Sequence, residues 1–172
     1  MSDEKIASFK VDHTKLDRGI YLSRVDEVGC KDTWMLFHVN TFDIRVKIPN
    51  KEPVLDTSIM HTIEHIGATY LRTHKLIDAC GREMDCIYFG PMGCRTGFYL
   101  IVNNGDTTSR DMLPIITDMF EYIRNSTEIP GASEVECGNY LDLNLNMARY
   151  IAQEFLEEVL YVITDKQLEY PD

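Results

Sequence analysis

The chain has 172 residues and a formal net charge of −11, from 17 Lys and Arg against 28 Asp and Glu. This length predicts one domain spanning residues 1–172, with a core that buries about 70% of the unfolded surface. The acidic balance argues against binding to nucleic acid or to anionic membranes, because both need a basic face. Apolar runs are short and no secretory signal is visible, so we expect a cytoplasmic protein.

The first elements predicted along the chain are strands. Residues 41–48 alternate strictly between apolar and polar side chains, which predicts a half-buried strand of an antiparallel sheet. Its apolar face holds Phe42, Ile44, Val46 and Ile48. Weaker strand patterns cover residues 19–28, 84–89 and 97–103.

Three segments have the spacing of helices. The first follows a candidate cap at Asp56 and runs past Leu71. The second follows candidate caps at residues 107–109 and contains Pro114, which a helix tolerates best in its first turn. The third covers residues 144–162, with an inward face of Met147, Ile151, Phe155, Val159 and Val162. These elements predict an α+β fold, an antiparallel β-sheet with helices packed on one face in a single-domain two-layer sandwich.

The most specific local motif is His-Thr-Ile-Glu-His at residues 61–65, on the first predicted helix. His61 and His65 are four residues apart, so both imidazoles project from one face and can share a metal ion. Glu64 lies on nearly the same face and can transfer protons without ligating the ion. Two exposed histidines beside a solvated glutamate are the alternative interpretation.

A two-histidine site needs at least one more protein ligand to hold a metal firmly. The number of cysteines is odd, which favours free thiols in a reducing compartment over a disulfide framework. On the residues alone, the candidates for the third ligand stay open: Cys30, Cys80, Cys86, Cys94, Cys137, His13, His38 and His74.

A second motif, residues 90–97, is a tight glycine-flanked turn between two predicted strands, with Cys94 at its centre. Arg95 and the turn amides are expected to lower the pKa of the Cys94 thiol and favour the thiolate. A small buried cysteine in a β-turn is the alternative interpretation. Cys137, which precedes Gly138 near a possible helix start, is the centre of a third motif.

Taken together, these segments resemble the S-ribosylhomocysteine lyase (LuxS) family over about residues 6–160. The matching segments are residues 8–13, 42–45 with 49–51, 61–65, 91–99 and 136–138, in the family's order and approximate spacing. The resemblance implies that His61, His65 and Cys137 bind one divalent metal per subunit, generally ferrous iron, which zinc or cobalt can replace. It also implies that Glu64 and Cys94 are the acid–base residues.

The same resemblance implies substrate contacts at Ser8 and His13, with Arg45 near the catalytic thiolate. The family cleaves S-ribosylhomocysteine to homocysteine and 4,5-dihydroxy-2,3-pentanedione, the precursor of autoinducer-2. Two carbonyl migrations along the sugar precede β-elimination of the thiol. The reaction belongs to the activated methyl cycle, and its product serves quorum sensing. The family works as a homodimer with active sites at the subunit interface.

The sequence departs from the family's common pattern at residues 88–90, Tyr-Phe-Gly, where a polar Asp and Ser are usual. Gly67 also stands in the first helix, where bulkier apolar residues are frequent.

Two other classes of protein share parts of the pattern. A metallopeptidase of the inverted-motif class has His-x-x-Glu-His but has no need of Cys94, and a catalytically inactive metal-binding module would keep the ligands alone.

Overall fold

The computed structural model describes residues 7–30, 35–103 and 105–171, without the side chains of residues 7, 8, 30 and 35. Its strands are β1 (Gly19–Cys30), β2 (Met35–Arg45), β3 (Leu76–Ile77), β4 (Glu83–Met84), β5 (Cys86–Pro91) and β6 (Gly97–Val102). Four of them form an antiparallel sheet in the order β1-β2-β6-β5, and β3 pairs with β4 in a small separate sheet.

The helices are α1 (Ala7–Lys10), α2 (Thr57–Thr73), α3 (Ser109–Asn125) and α4 (Leu145–Glu158). Asp56 caps α2, and Thr108 forms a capping box with Asp111 at the start of α3. Helices α2, α3 and α4 pack against one another, while α2 contacts β5 and α3 contacts β1. The arrangement confirms the predicted α+β fold with helices on one face of an antiparallel sheet. None of the described helices is long and apolar enough to cross a membrane.

The core lies between the sheet and the helices. The side chains that the sheet contributes include Ile20, Phe42, Ile44, Phe89, Phe98 and Leu100. The helices contribute Ile63, Ile66, Met119, Phe120 and Phe155, among others. Because one face of α2 is buried in this core, the opposite face is free to carry functional side chains. That remaining face carries His61, Glu64 and His65, all half-buried.

Strand β2 differs from the prediction in its bounds and in its exposure. It begins at Met35, because its pairing with β1 continues to the end of the hairpin. It ends at Arg45, because the amides of Val46 and Lys47 both bond to the carbonyl of Thr96. The prediction of a half-buried strand is wrong for its last residues, since Asp43 and Arg45 on the face away from the helices are each 2% exposed.

Two other elements also differ from the prediction. The predicted strand at residues 84–89 is divided, because Glu83 and Met84 pair with β3 and only the residues from Cys86 onward join the main sheet. Pro114 is the sixth residue of α3 and so lies beyond its first turn. Its ring is on the exposed side, so the Arg110 carbonyl that loses a partner can bind water.

The third predicted helix is shorter than expected. Helix α4 ends at Glu158, and Leu160–Val162 form a 3₁₀ turn. Met147 and Val162, both predicted to face inward, are 40% and 61% exposed. Ile151, Phe155 and Val159 are buried as predicted. Two small residues, Ala148 and Ala152, are fully buried as well and let α4 approach α3 closely.

Candidate metal and acid–base site

Three donor side chains converge at the N-terminal half of α2. The donor atoms of His61, His65 and Cys137 all lie within 4.8 Å of one another. The two imidazole Nε2 atoms are 3.1 Å apart, and the Sγ atom of Cys137 is 3.4 Å from Nε2 of His61. Within the part of the chain that the structure describes, this is the group of His, Cys, Asp and Glu residues that could hold a metal ion.

The loop after α3 orients two of these donors. Nδ1 of His65 donates to the carbonyl of Pro130 at 2.8 Å, which leaves the Nε2 lone pair free to face the cluster. Cys137 is 8% exposed, and its sulfur accepts from the amide of Asn139 at 3.4 Å. The loop that carries Cys137 is joined to α2 nearby, where the Asn144 amide donates to the buried hydroxyl of Thr62.

Two of the three donor separations, both measured from Nε2 of His61, fit a transition-metal ion. In a tetrahedral site with metal–nitrogen bonds of about 2.0–2.1 Å and metal–sulfur bonds of about 2.3 Å, donors lie roughly 3.3–3.6 Å apart. The observed separations of 3.1 and 3.4 Å are close to this range. Two nitrogens and one sulfur leave a fourth position open, as a catalytic rather than a structural site requires.

Glu64 lies beside this cluster without joining it. Its Oε2 atom is 4.0 Å from Nε2 of His65, which is too far for a hydrogen bond. An open cleft of about 480 Å³ borders the cluster and is lined by Glu64, His65, Arg72, Gly131 and Glu136, among others. A group bound in this cleft meets the Glu64 carboxylate and, of the three donor residues, only His65.

Cys94 lies in the turn that joins the paired strands β5 and β6. Arg95, the next residue, has a left-handed backbone with φ of 60°, which closes the turn. The Cys94 sulfur lies 3.1 Å from the hydroxyl of Thr96 and 3.6 Å from Nη1 of Arg45. Cys94 is exposed, so its thiol is accessible and not a buried packing group.

The pKa of the Cys94 thiol lies below its ordinary value. Partial shielding of the sulfur from water raises the pKa, but hydrogen bonds from the hydroxyl and amide of Thr96 and the charge of Arg45 outweigh that effect. The expected direction of the shift is therefore confirmed, but the expected role of Arg95 is not. Arg95 is exposed, and Arg45 supplies the nearby charge from strand β2.

Among the described side chains, the other candidate residues lie outside the donor cluster. His13 is half-buried and lies close enough to Asp43 to lower the pKa of its carboxyl. The side chain of Ser8 lies outside the described residues, as does that of Cys30. His38, His74, Cys80 and Cys86 are elsewhere, so of the described alternatives only Cys137 joins the two histidines.

The two groups of side chains are separate within one chain. Among the described residues, no hydrogen bond or ion pair joins Cys94, Arg45 or Thr96 to His61, Glu64 or His65. The donor cluster belongs to α2 and the loop after α3, whereas the thiol belongs to the turn between β5 and β6.

Sequence reasoning missed three partners of the site. Thr96 contacts Cys94 within the same turn and also contacts Arg45, and no pattern marks its role. The Pro130 carbonyl meets His65 across 65 positions, which local patterns do not reveal. Asp43 could have been found, because residues two apart in a strand share a face and Asp43 therefore lies beside Arg45. Its carboxylate pairs with the Arg45 guanidinium, with Nε of Arg45 3.1 Å from Oδ1.

The fold and the site together define a class of protein. It is an α+β protein with an open cluster of two histidines and one cysteine, a carboxylate beside that cluster, and a thiol of lowered pKa on a separate turn. Comparison with known proteins narrows this class. A family model described as S-ribosylhomocysteinase (LuxS) matches residues 6–166.

Curated relatives match almost the whole chain. A protein of Clostridium beijerinckii is 49% identical over 170 residues, and one of Desulfotalea psychrophila is 50% identical over 169 residues. A third, from Porphyromonas gingivalis, is 48% identical over 170 residues. Each alignment covers 98% of this chain and 99% of the relative, and each relative is named S-ribosylhomocysteine lyase. The chain belongs to the LuxS family, which confirms the resemblance inferred from its motifs.

Proposed function

We propose that this chain is a metal-dependent carbon–sulfur lyase that cleaves S-ribosylhomocysteine to homocysteine and 4,5-dihydroxy-2,3-pentanedione. The observation that carries the proposal is the cluster of His61, His65 and Cys137 beside Glu64, in a chain of the LuxS family. The names of the relatives support the same reaction. The whole chain, residues 1–172, acts as one domain of this type, and its product is the precursor of autoinducer-2.

One divalent ion per subunit would be held by His61, His65 and Cys137. When bound, it supplies Lewis-acid polarisation of a sugar carbonyl in the open fourth position. The resemblance to the family favours ferrous iron, and zinc or cobalt can replace it because all three accept imidazole and thiolate ligands. Nδ1 of His65 keeps its bond to Pro130, which holds the imidazole in the tautomer that ligation needs.

Glu64 and Cys94 move the protons. The carbonyl must pass from C1 to C2 and then to C3, and each shift takes a proton from one carbon and returns one to its neighbour. Glu64, accessible from the open cleft, accepts and returns protons on one side of the sugar. The Cys94 thiolate does the same on the other side, and its lowered pKa supports that role. Loss of the C4 proton then breaks the C5–sulfur bond, and the homocysteine thiolate leaves and takes up a proton.

The remaining predicted contacts complete the substrate site. We infer that Ser8 and His13 contact the substrate and that Arg45 holds the Cys94 thiolate. The position of Arg45, with Nη1 3.6 Å from the Cys94 sulfur, supports the second role. We also place the protein in the cytoplasm, because Cys94 and Cys137 work only as free thiols and a reducing compartment keeps them so.

We infer a homodimer with the active site at the subunit interface. The sheet face turned away from the helices carries exposed apolar side chains, among them Val28, Phe37 and Tyr88. The hydroxyl of Thr41 on the same face is buried and has no hydrogen-bond partner among the described residues. A second subunit on this face would cover the apolar side chains and could bring its own donor cluster towards Cys94.

The experiment is release of homocysteine from S-ribosylhomocysteine, measured with a thiol reagent, together with metal analysis of each variant. Cys137→Ala should lose both metal and activity, because two histidines alone are a weak chelate. Glu64→Gln should keep its metal and lose activity by about 10²-fold or more. Cys80→Ser, a change at an exposed thiol outside the site, is the matched control and should keep both.

The same measurements separate the alternatives. Metal at full occupancy in Cys137→Ala would contradict the ligand set. A parent protein that holds metal but releases no homocysteine would instead be a metal-binding module. Light scattering should give twice the mass of one chain, and Phe37→Glu should shift it towards one chain. An active protein with the mass of a single chain would refute the shared site.

A further inference from the structure

A line of polar contacts runs from the Cys94 thiol into the interior of the sheet. Nη1 of Arg45 donates to the hydroxyl of Thr96 at 2.5 Å. The same nitrogen also contacts the sulfur of Cys94. The other edge of the guanidinium meets both carboxylate oxygens of Asp43. Arg45 and Asp43 are each 2% exposed, so this bidentate pair fixes the direction in which the guanidinium points.

The line continues to a residue at the far end of the chain. The hydroxyl of Tyr170 donates to Oδ2 of Asp43 at 3.0 Å. The ring of Tyr170 stacks on that of Tyr21, with centroids 4.9 Å apart and planes within 6°. The side chain of Ser23, at the bulge of β1, also lies within reach of the Tyr170 hydroxyl.

The C-terminal segment that carries Tyr170 is held against the start of β1. Gln167 donates from Nε2 to the carbonyl of Arg18 at 3.3 Å. The backbone of Gln167 passes so close to Gly19 that a Cβ atom there would lie 2.2 Å from the Gln167 carbonyl oxygen. Glycine at position 19 therefore permits the approach, and the segment lies against the start of β1.

Asp43 depends on its donors because it is buried. Burial raises the pKa of its carboxyl, and the Arg45 guanidinium and the Tyr170 hydroxyl oppose that rise. A buried carboxylate that loses one donor retains an unsatisfied acceptor, which costs free energy and favours rotation of the carboxylate towards another donor. Such a rotation releases the edge of Arg45 that Asp43 holds, so that the guanidinium can move away from Cys94.

We propose that Tyr170 is a positioning residue for the reaction: its hydroxyl fixes Asp43, Asp43 fixes Arg45, and Arg45 is held against the Cys94 sulfur. The proposal rests on the proposed function only where activity is the readout, because the contacts among the four side chains stand by themselves. Tyr170 touches no reacting atom and acts through Asp43 and Arg45.

Other ionisable groups face this line of contacts from the elements around it. They are His13, Asp17, Tyr21, Arg24 and Tyr99, in addition to the four residues of the line. Substitution of Tyr170 alone leaves all of them unchanged. A change in the ionisation of Cys94 can then be attributed to the loss of the Tyr170 hydroxyl.

The test is Tyr170→Phe, which keeps the ring on Tyr21 and removes only the hydroxyl. Iodoacetamide labelling of Cys94, followed by mass mapping across a pH series, gives the thiol's titration curve. We expect the midpoint to move to higher pH by about half a unit to one unit, so that labelling at neutral pH slows about three- to tenfold. Tyr161→Phe is the matched control, since its exposed hydroxyl donates to Glu121 at 2.6 Å, and it should leave the curve unchanged.

Each outcome decides the proposal. A Tyr170→Phe curve that overlays the parent curve overturns it. Equal changes in the labelling of Cys80 and Cys86 would indicate general loosening of the fold, and they would overturn it as well. A shift confined to Cys94 supports it.

Activity provides an independent arm. In Tyr170→Phe, kcat for homocysteine release at neutral pH should fall by the same factor as labelling, with KM unchanged, and it should recover at higher pH. A fall in kcat that does not recover as Cys94 ionises would argue against positioning. A parent protein without lyase activity would refute the proposed function, while the labelling curves would still judge the role of Tyr170.

Discussion

Gly67 sits in the middle of α2 because the ring of Phe89 occupies the space beside it. A Cβ atom at position 67 would lie 2.7 Å from Cε1 of Phe89 and 3.3 Å from the sulfur of Met119. Ordinary carbon contacts are about 3.5–4.0 Å, so the ring would have to retreat by about 1 Å within a packed core. The same ring stacks on Phe98 and is 1% exposed.

Two opposing effects set the result of Gly67→Ala. Alanine in a helix interior is favoured over glycine by about 1 kcal/mol. Overpacking of a core costs about 1–3 kcal/mol. We therefore expect Gly67→Ala to lower the free energy of unfolding by about 0–2 kcal/mol, although the same change in an open helix would raise it. In a Phe89→Leu background the clash disappears, and Gly67→Ala should raise stability by about 1 kcal/mol.

The assay is equilibrium unfolding in urea for the parent, both single variants and the double variant. The interaction energy from this cycle should be about 1–3 kcal/mol, and metal content should be measured alongside because α2 carries His61 and His65. A Gly67→Ala variant stabilised by about 1 kcal/mol in the parent background would falsify the packing argument. So would a cycle without interaction energy, since it would mean that Phe89 does not restrict position 67.

Three further predictions concern the thiols, a cap and a helix. Cys94 should be alkylated faster than Cys80 or Cys86 and at lower pH, because hydrogen bonds lower the pKa of its thiol. A hydrogen bond to Asp111 raises the pKa of Cys80, and burial raises that of Cys86. Faster labelling of Cys86 would contradict this prediction. The backbone amide of Thr108 holds the pKa of Asp111 below its usual range, so the carboxylate stabilises the fold above about pH 4 and the stability is lost as the pH falls through the folded-state pKa. Unfolding midpoints of the parent and Asp111→Asn should therefore converge at low pH. Pro114→Ala should raise the free energy of unfolding by about 1–3 kcal/mol in urea, because it restores a helix hydrogen bond.

Patterns of near neighbours in the sequence predicted the elements that local interactions decide. Asp56 and Thr108 cap their helices as expected, because a cap is a contact between residues at most three positions apart. The spacing of His61 and His65 likewise put both imidazoles on one face, since the helix itself sets that geometry. The α+β class followed from the same kind of periodicity.

The alternation of β2 predicted which residues share a face but not that both faces would be covered. Burial of Asp43 and Arg45 depends on what packs above the sheet, and a strand pattern contains no information about that. The prediction of a half-buried strand was wrong there for this reason. Met147 was misassigned for a related reason, because the approach of α4 to α3 selected a neighbouring face of the helix.

The site itself required the tertiary structure. Residues alone left several candidates for the third donor, and folding of the loop after α3 brought Cys137 to within 3.4 Å of His61, 76 positions away. The Tyr170 hydroxyl reaches Asp43 across 127 positions, and no local pattern marks that contact. Local sequence determines helices, strands and caps because those depend on neighbours along the chain. The packing of the elements decides which distant side chains come into contact and which charged groups are desolvated. Only the folded chain determines that packing.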